Sequence, residues 1–307
     1  MGTLYEIAST PAAYATRPAL RGDAMFAGGP VRIPFGPGRL QHCVLWQPAT
    51  LRYEAPVFWF HGGGFVVGTP ESMIDAARVY CSQGYRFVSV GFGLVPGSRF
   101  PAQVDDAYAG VGAALAWLAE HGCTAPQVVV GGSSAGGQLA CLLGYSGALA
   151  ASHGFDQRRV AAVVSSAAIV DADDLELRPL PTAHAWRSCV DLPCDAHDRG
   201  AIHQALLPFS PVAIVGEKNG GDGAEPGSWL PPFFSVEGRH DTLSPYAHQM
   251  AFARALDAAA GRPIAHMEVI DNPRWQHMIG TVTIYRHDPR TFPPLVRLFG
   301  WLGALGL

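Results

Sequence analysis

Residues 127–138 read Gln-Val-Val-Val-Gly-Gly-Ser-Ser-Ala-Gly-Gly-Gln. Three valines in a row suit a strand covered on both faces. The crowd of small residues after them marks a place where the chain must pass close to itself. A nucleophilic serine on a strand-to-helix turn needs small residues two positions before and two after it, giving G-x-S-x-G. Centred on Ser134, the pattern has Gly132 and Gly136 as its flanks. Centred on Ser133, it has Gly131 and Ala135, a poorer fit. Ser134 is therefore the expected nucleophile, with Val128–Val130 as the strand before it and a helix from Gln138 after it. A glycine-rich turn without chemistry would leave the same trace. A phosphate loop would not, because G-x-G-x-x-G is absent and no Lys-Ser/Thr pair follows the glycines.

Outward from this turn, apolar strand-like runs alternate with helical patterns. The expected strands are Leu40–Gln47, Pro56–Phe60, Phe87–Gly91, Gln127–Gly131, Val160–Ser165, Pro232–Glu237 and Ile264–Ile270. Between them, Val104, Tyr108, Val111, Leu115 and Leu118 recur at steps of four and three, which predicts a helix over Pro101–Glu120. Further helices are expected over Gln138–Leu149, Pro245–Ala260 (with Gly261 just past its end) and Phe292–Leu302. Strand alternating with helix implies a mostly parallel, doubly wound α/β sheet. Two segments break the rhythm. Residues 1–39 are rich in Ala, Gly and Pro and show no clear strand, and residues 171–230 are too long for a simple connection. The insertion contains a helical piece, Asp198–Leu206, a Gly-rich charged loop, Gly216–Gly227, and an acidic run, Asp171–Glu176, suited to a helix start. Both segments are expected to form a lid on a single 1–307 domain.

Composition narrows the function classes. The chain has 307 residues, 49% of them hydrophobic, enough for one large core. Charged residues make up only 15% and the net charge is −4, with no basic stripe, so nucleic acid is not an expected partner. No run of about 18 apolar residues is present to span a membrane. The first ten residues carry Glu6 and no cationic start leading into an apolar core, unlike a secretory leader. Six cysteines are too few for a disulfide scaffold, and a reduced, cytoplasmic protein is the expectation.

A second motif, His61-Gly-Gly-Gly-Phe65, follows the strand Pro56–Phe60. Acyl transfer places negative charge on the former carbonyl oxygen, and preorganised backbone N–H groups aimed at it are worth about 3–4 kcal/mol each. Glycine lets the backbone approach without a side chain in the way. His61 suits a structural role better than that of the base. An acid and then a histidine should follow the serine in the chain. Asp241 stands past the strand Pro232–Glu237, and His277 past the strand Ile264–Ile270. The lesser alternatives are a helix cap for Asp241 and a surface-loop histidine for His277. His240 adjoins Asp241, His266 falls inside a strand, and His287 lies beyond the expected loop.

Taken together, H-G-G-G-F, G-x-S-A-G-G, Gly238-x-x-Asp241-x-Leu243, the late His277 and the stretch Phe100-Pro-Ala-Gln-Val-Asp-Asp-Ala107 resemble the hormone-sensitive-lipase-like carboxylesterases of the α/β-hydrolase fold. The likeness spans roughly residues 40–300. It implies an α/β-hydrolase with Ser134, Asp241 and His277 as catalytic triad and Gly63, Gly64 and Ala135 as oxyanion hole. It also implies a small-molecule ester of short to medium acyl length as substrate and no cofactor or metal, and it permits a homodimer. Two positions depart from the family. Ser133 stands where an acidic residue usually precedes the nucleophile, and Pro96-Gly97 replaces the usual Pro-Glu. An aryl formamidase would use the same triad, and a receptor on this fold would lack an intact one. His184, Cys189, Cys194, His197 and His203 offer zinc-ligand types, but at spacings that match no common site. Trp186, Phe209, Trp229 and Phe233 suit either a substrate pocket or plain packing.

Overall fold

The computed structural model describes residues 24–172, 188–190, 199–217, 229–277 and 284–307. Among them the strands are β1 (Val31–Pro34), β2 (His42–Trp46), β3 (Val57–Phe60), β4 (Phe87–Val90), β5 (Val128–Ser133), β6 (Val160–Ser166), β7 (Phe233–Gly238) and β8 (Ala265–Ile270). They form one sheet in the order β1-β2-β4-β3-β5-β6-β7-β8. β2 is antiparallel to both β1 and β4, and all pairings from β4 through β8 are parallel. The near-continuous apolar runs of β2 to β7 are explained by this arrangement, since these strands are buried along their whole lengths.

The helices are α1 (Ile74–Gln83), α2 (Ala102–Glu120), α3 (Ala135–Tyr145), α4 (Gly147–Ser152), α5 (Arg199–Leu206), α6 (Pro211–Glu217), α7 (Tyr246–Ala260) and α8 (Pro293–Ala304). The period-2 alternation of the strands divides their side chains between two cores. Phe58, Phe60, Val128, Val130 and Phe233 pack with α2, α3 and α7 on one face. Val57, Trp59, Val129, Val164 and Phe234 pack with α1 and α8 on the other. The stripe expected on α2 is real, as Val104, Tyr108, Val111 and Leu118 are all buried. No helix among the described residues is long and apolar enough to cross a membrane.

The structure departs from the sequence expectations in four places. β1 lies within residues 1–39, where no strand was expected. It is only four residues long, begins just after Pro30, ends in Pro34, and sits at the sheet edge, where proline is tolerated. Residues 1–23 of that segment lie outside the described residues. α1 is outside the expected helices, although Ile74, Ala77, Tyr80 and Cys81 trace its buried stripe and Gly84, at φ 100°, ends it. The third difference concerns α3, which starts at Ala135 rather than Gln138. It stops at Tyr145, after which the Ser146 side chain accepts from Leu149 N and opens α4. Finally, the loop expected over Gly216–Gly227 overlaps the end of α6, and its remainder from 218 lies outside the described residues.

Elsewhere in the insertion, α5 matches the expected helix. The acidic run from Asp173 onward, Trp186, His184, Cys194 and His197 lie outside the described residues. Cys189 is fully buried in the first core. Burial pushes its thiol up to about 12, as it does those of Cys43 and Cys81.

Candidate active site

β5 ends at Ser133, and Ser134 caps α3 with φ 53° and ψ −120°, a conformation that L-residues avoid. The glycines make this turn possible. A Cβ on Gly132 would stand 2.3 Å from the carbonyl carbon of Gly136, and one on Gly136 would stand 2.1 Å from the carbonyl oxygen of Phe60. Ser134 N–H donates to Ser166 O on β6 at 3.0 Å, while its own carbonyl accepts from Gln138 N and from Ile169 N. The turn is thus pinned to the neighbouring strand as well as to its own helix. Its side chain is raised at the C-terminal rim of the sheet, where open α/β folds place their ligands.

β7 and β8 deliver the other two groups to the same rim. His277 Nε2 lies 2.8 Å from Ser134 Oγ, and His277 Nδ1 lies 2.8 Å from Asp241 Oδ2. All three side chains are buried. Asp241 accepts at its other oxygen, Oδ1, from the main-chain N–H groups of Leu243 and Ser244, each at 2.8 Å. A carboxylate can only accept, so Nδ1 carries the imidazole proton. Nε2 is left to accept from the serine hydroxyl. The capping role and the catalytic geometry weighed for Asp241 therefore coexist, one on each carboxylate oxygen. The rival histidines point elsewhere. His240 pairs with Asp271 at 2.9 Å, His266 with Glu268 at 2.8 Å, and His287 stacks on Phe292.

The loop after β3 brings main chain to the site. Gly63 and Gly64 have φ of 108° and 62°, and the Gly63 carbonyl turns back to accept from Val66 N and Val67 N. A Cβ on Gly63 would meet Val67 O at 2.1 Å, so that position admits only glycine. Among the described residues no main-chain carbonyl accepts the N–H of Gly63 or Gly64. The N–H of Ala135, at the first position of α3, has no intrahelical partner. His61 braces the loop from inside. It is fully buried, stacks on Phe92 at 4.2 Å, and donates from Nδ1 to Gly62 O at 2.7 Å. Burial pushes its pKa down to about 4, so the ring is neutral at ordinary pH.

Behind Asp241 sits a group the sequence did not single out. Glu237, the next-to-last residue of β7, is fully buried, and neither carboxyl oxygen has a hydrogen-bond partner among the described residues. Desolvation, and then the nearby charge of Asp241, hold its pKa well above the usual carboxylate range. An unfolded chain releases that proton at ordinary glutamate pH and the folded chain does not. Stability is therefore fully present below the unfolded value and falls as pH rises through the folded one. Glu237→Gln should raise the melting temperature at pH 8 but not near pH 4. The free-energy gap should widen by at most about 1.4 kcal/mol per pH unit, the slope of a single proton. Thermal unfolding of both proteins across that range measures it, and a gap constant with pH would show that Glu237 is ionised in the fold.

A profile described as the alpha/beta hydrolase fold matches residues 57–269, well over half of the chain. The chain belongs to the alpha/beta hydrolase fold family. Among curated relatives of this family member, Lipase 2 of Moraxella sp. (strain TA144) is 38% identical over 95 residues, covering 29% of this chain and 21% of the relative. Esterase LipI of Mycobacterium tuberculosis is 36% identical over 107 residues, covering 33% and 32%. The longest of these three alignments is with the probable carboxylic ester hydrolase LipM of the same organism. It runs over 257 residues at 26% identity, covering 78% of this chain and 53% of the relative. The chain thus spans about half or less of the length of these curated relatives. In overall fold it is similar to esterase B from Lactobacillus rhamnosis, with a TM-score of 0.69 at 21% identity over 99% of this chain and 91% of that one. It is also similar to a hormone-sensitive lipase from a metagenome library, with a TM-score of 0.64 at 20% identity over 97% and 91%. The α/β-hydrolase fold implied by the motifs is borne out by the family match and by these likenesses.

Proposed function

We propose that this α/β-hydrolase is a serine carboxylester hydrolase, acting on short to medium acyl esters through an acyl-enzyme. The observation that carries the proposal is the continuous hydrogen-bonded line from Ser134 Oγ through both nitrogens of His277 to Asp241. The names of the curated relatives, lipase and esterase among them, agree with it.

In the first step His277 Nε2 takes the hydroxyl proton as Ser134 Oγ bonds to the ester carbonyl carbon. Asp241 keeps the imidazole in the required tautomer and stabilises its charged form. Negative charge on the carbonyl oxygen falls to the amides of Gly63, Gly64 and Ala135. The carbon–oxygen bond to the alcohol breaks, and the departing oxygen receives the proton held on Nε2. Water then repeats the sequence: it gives a proton to His277, attacks the acyl carbon and releases the acid, and the proton returns to Ser134 Oγ. The residues named supply nucleophile, base and oxyanion donors, and no step draws on a further group.

Turnover of a p-nitrophenyl ester series of increasing acyl length tests the activity and its range, with best kcat/KM expected between acetate and hexanoate. A formyl-anilide in the same panel should be turned over far less well. Hydrolysis of the anilide matching that of the esters would replace this assignment with an amidase, and a parent chain inert to both esters and a fluorophosphonate probe would remove it.

A further inference from the structure

The acid turn and the nucleophile turn are tied together through one short stretch of main chain. At the end of β6 the chain bends sharply at Ala167, a non-glycine residue with φ 49°. Such a conformation persists only where its surroundings hold it. On one side of this bend, Ile169 N–H donates to Ser134 O at 3.2 Å, and Ser166 O accepts Ser134 N–H at 3.0 Å. On the other side, the carbonyl of Ala168 accepts two side-chain hydrogen bonds, from Ser244 Oγ at 2.6 Å and from Gln249 Nε2 at 2.6 Å. The second amide hydrogen of Gln249 goes to Ser244 Oγ, also at 2.6 Å. The proton count closes: the serine hydroxyl donates once and accepts once, and the glutamine amide donates twice. Both side chains are almost completely buried, Ser244 at 2% and Gln249 at 1% exposure.

Ser244 also supplies one of the two amides that hold Asp241 Oδ1. Its side chain therefore anchors the residue whose main chain aims the carboxylate at His277. The anchor itself is the loop that holds Ser134. Resting on the hydrolase reading above, the geometry points to Ser244 and Gln249 as positioning residues. Together they clamp the acid turn to the 166–169 bend, so that Asp241 and Ser134 are registered to the same piece of backbone. The hydrogen bonds of both side chains go to the Ala168 carbonyl and to each other, and the Ser244 main chain holds the carboxylate, so both work through Asp241.

The test removes the clamp while keeping the shape. Gln249→Met deletes both donors at similar volume, and Ser244→Ala deletes only the hydroxyl. Each should lower kcat by about 10- to 100-fold, the scale expected of a small misplacement in a catalytic group. KM should stay within about twofold, because the substrate is not touched. The decisive readout is the same pair of substitutions made in an Asp241→Ala background. Residues that act through Asp241 lose nothing further once it is gone, so the second substitution should change the residual rate by less than about twofold. Equal losses in both backgrounds would show a merely structural role and overturn the proposal, as would full activity of both single variants. Should Gln249→Met fail to fold, Ser244→Ala carries the same comparison with one atom removed. A parent chain without turnover is a separate result and sinks the hydrolase assignment itself. An active parent with insensitive variants sinks only the clamp.

Discussion

Ser134→Ala should lower kcat/KM for the best p-nitrophenyl ester by about 10⁴- to 10⁶-fold, and leave the melting temperature nearly unchanged. Removing one member of a cooperating set is expected to forfeit most of what the set provides, and a factor of 10⁵ corresponds to about 7 kcal/mol of transition-state stabilisation. The fold should tolerate the change. Alanine keeps the Cβ that serine already places at φ 53°, and the deleted hydroxyl has His277 Nε2 as its partner rather than a core group. The neighbouring serine provides the control. Ser133 is the last residue of β5, and its buried hydroxyl has no hydrogen-bond partner among the described residues. Ser133→Ala should keep activity within a few-fold. The two variants assayed side by side, with fluorophosphonate labelling of each, assign the nucleophile. Retained hydrolysis and labelling in Ser134→Ala would overturn both the assignment and the acyl-enzyme route built on it.

Most of the fold could be read from periodicity because most of the sheet is parallel and doubly covered. Seven strands announce themselves as apolar runs, and their structural limits differ by only one or two residues at most ends. β1 left no such trace, since an edge strand of four residues that ends in proline carries neither length nor alternation. α1 left a trace that the neighbouring Gly-rich motif obscured: Ile74, Ala77, Tyr80 and Cys81 are spaced as one buried face. The placement of Ser134, Asp241 and His277 was legible because the chemistry requires a fixed order along the chain and one residue type at each strand end. The support of that site was not. Ser244, Gln249 and Glu237 matter through contacts made across 76 and 81 residues of chain or through burial, and nothing local marks them. A glutamate at the end of a strand reads as solvated, and only its neighbours in space show otherwise.

The spacing of the small residues around Ser134 is a steric demand, and its consequence for stability should be large. Gly136→Ala would place a Cβ 2.1 Å from Phe60 O and 2.4 Å from His61 O, far inside any van der Waals contact. The obstacle is main chain, so no side-chain rotation relieves it. Nor can that main chain retreat: Phe60 is paired in register with Val90 on β4 and Gly132 on β5, in the middle of the sheet. The helix must move instead, taking Ser134 and its bonds to Ser166 and Ile169 with it. A loss of more than about 3 kcal/mol is expected, seen as a fall in melting temperature of about 5 °C or more for a chain of this size. Activity should fall even in the fraction that stays folded, because the same displacement moves Ser134 away from His277 and the amide of Ala135 away from those of Gly63 and Gly64. Gly112→Ala isolates the steric part of the effect. Gly112 is exposed within α2 and an added Cβ there meets nothing within 4 Å, so alanine should stabilise the protein by about 0.5–1 kcal/mol through helix propensity alone. Opposite signs for the same chemical change, measured by thermal unfolding, would tie the G-x-S-x-G spacing to backbone contact. A Gly136→Ala protein that melts with its parent would mean that the turn has room the observed packing does not contain.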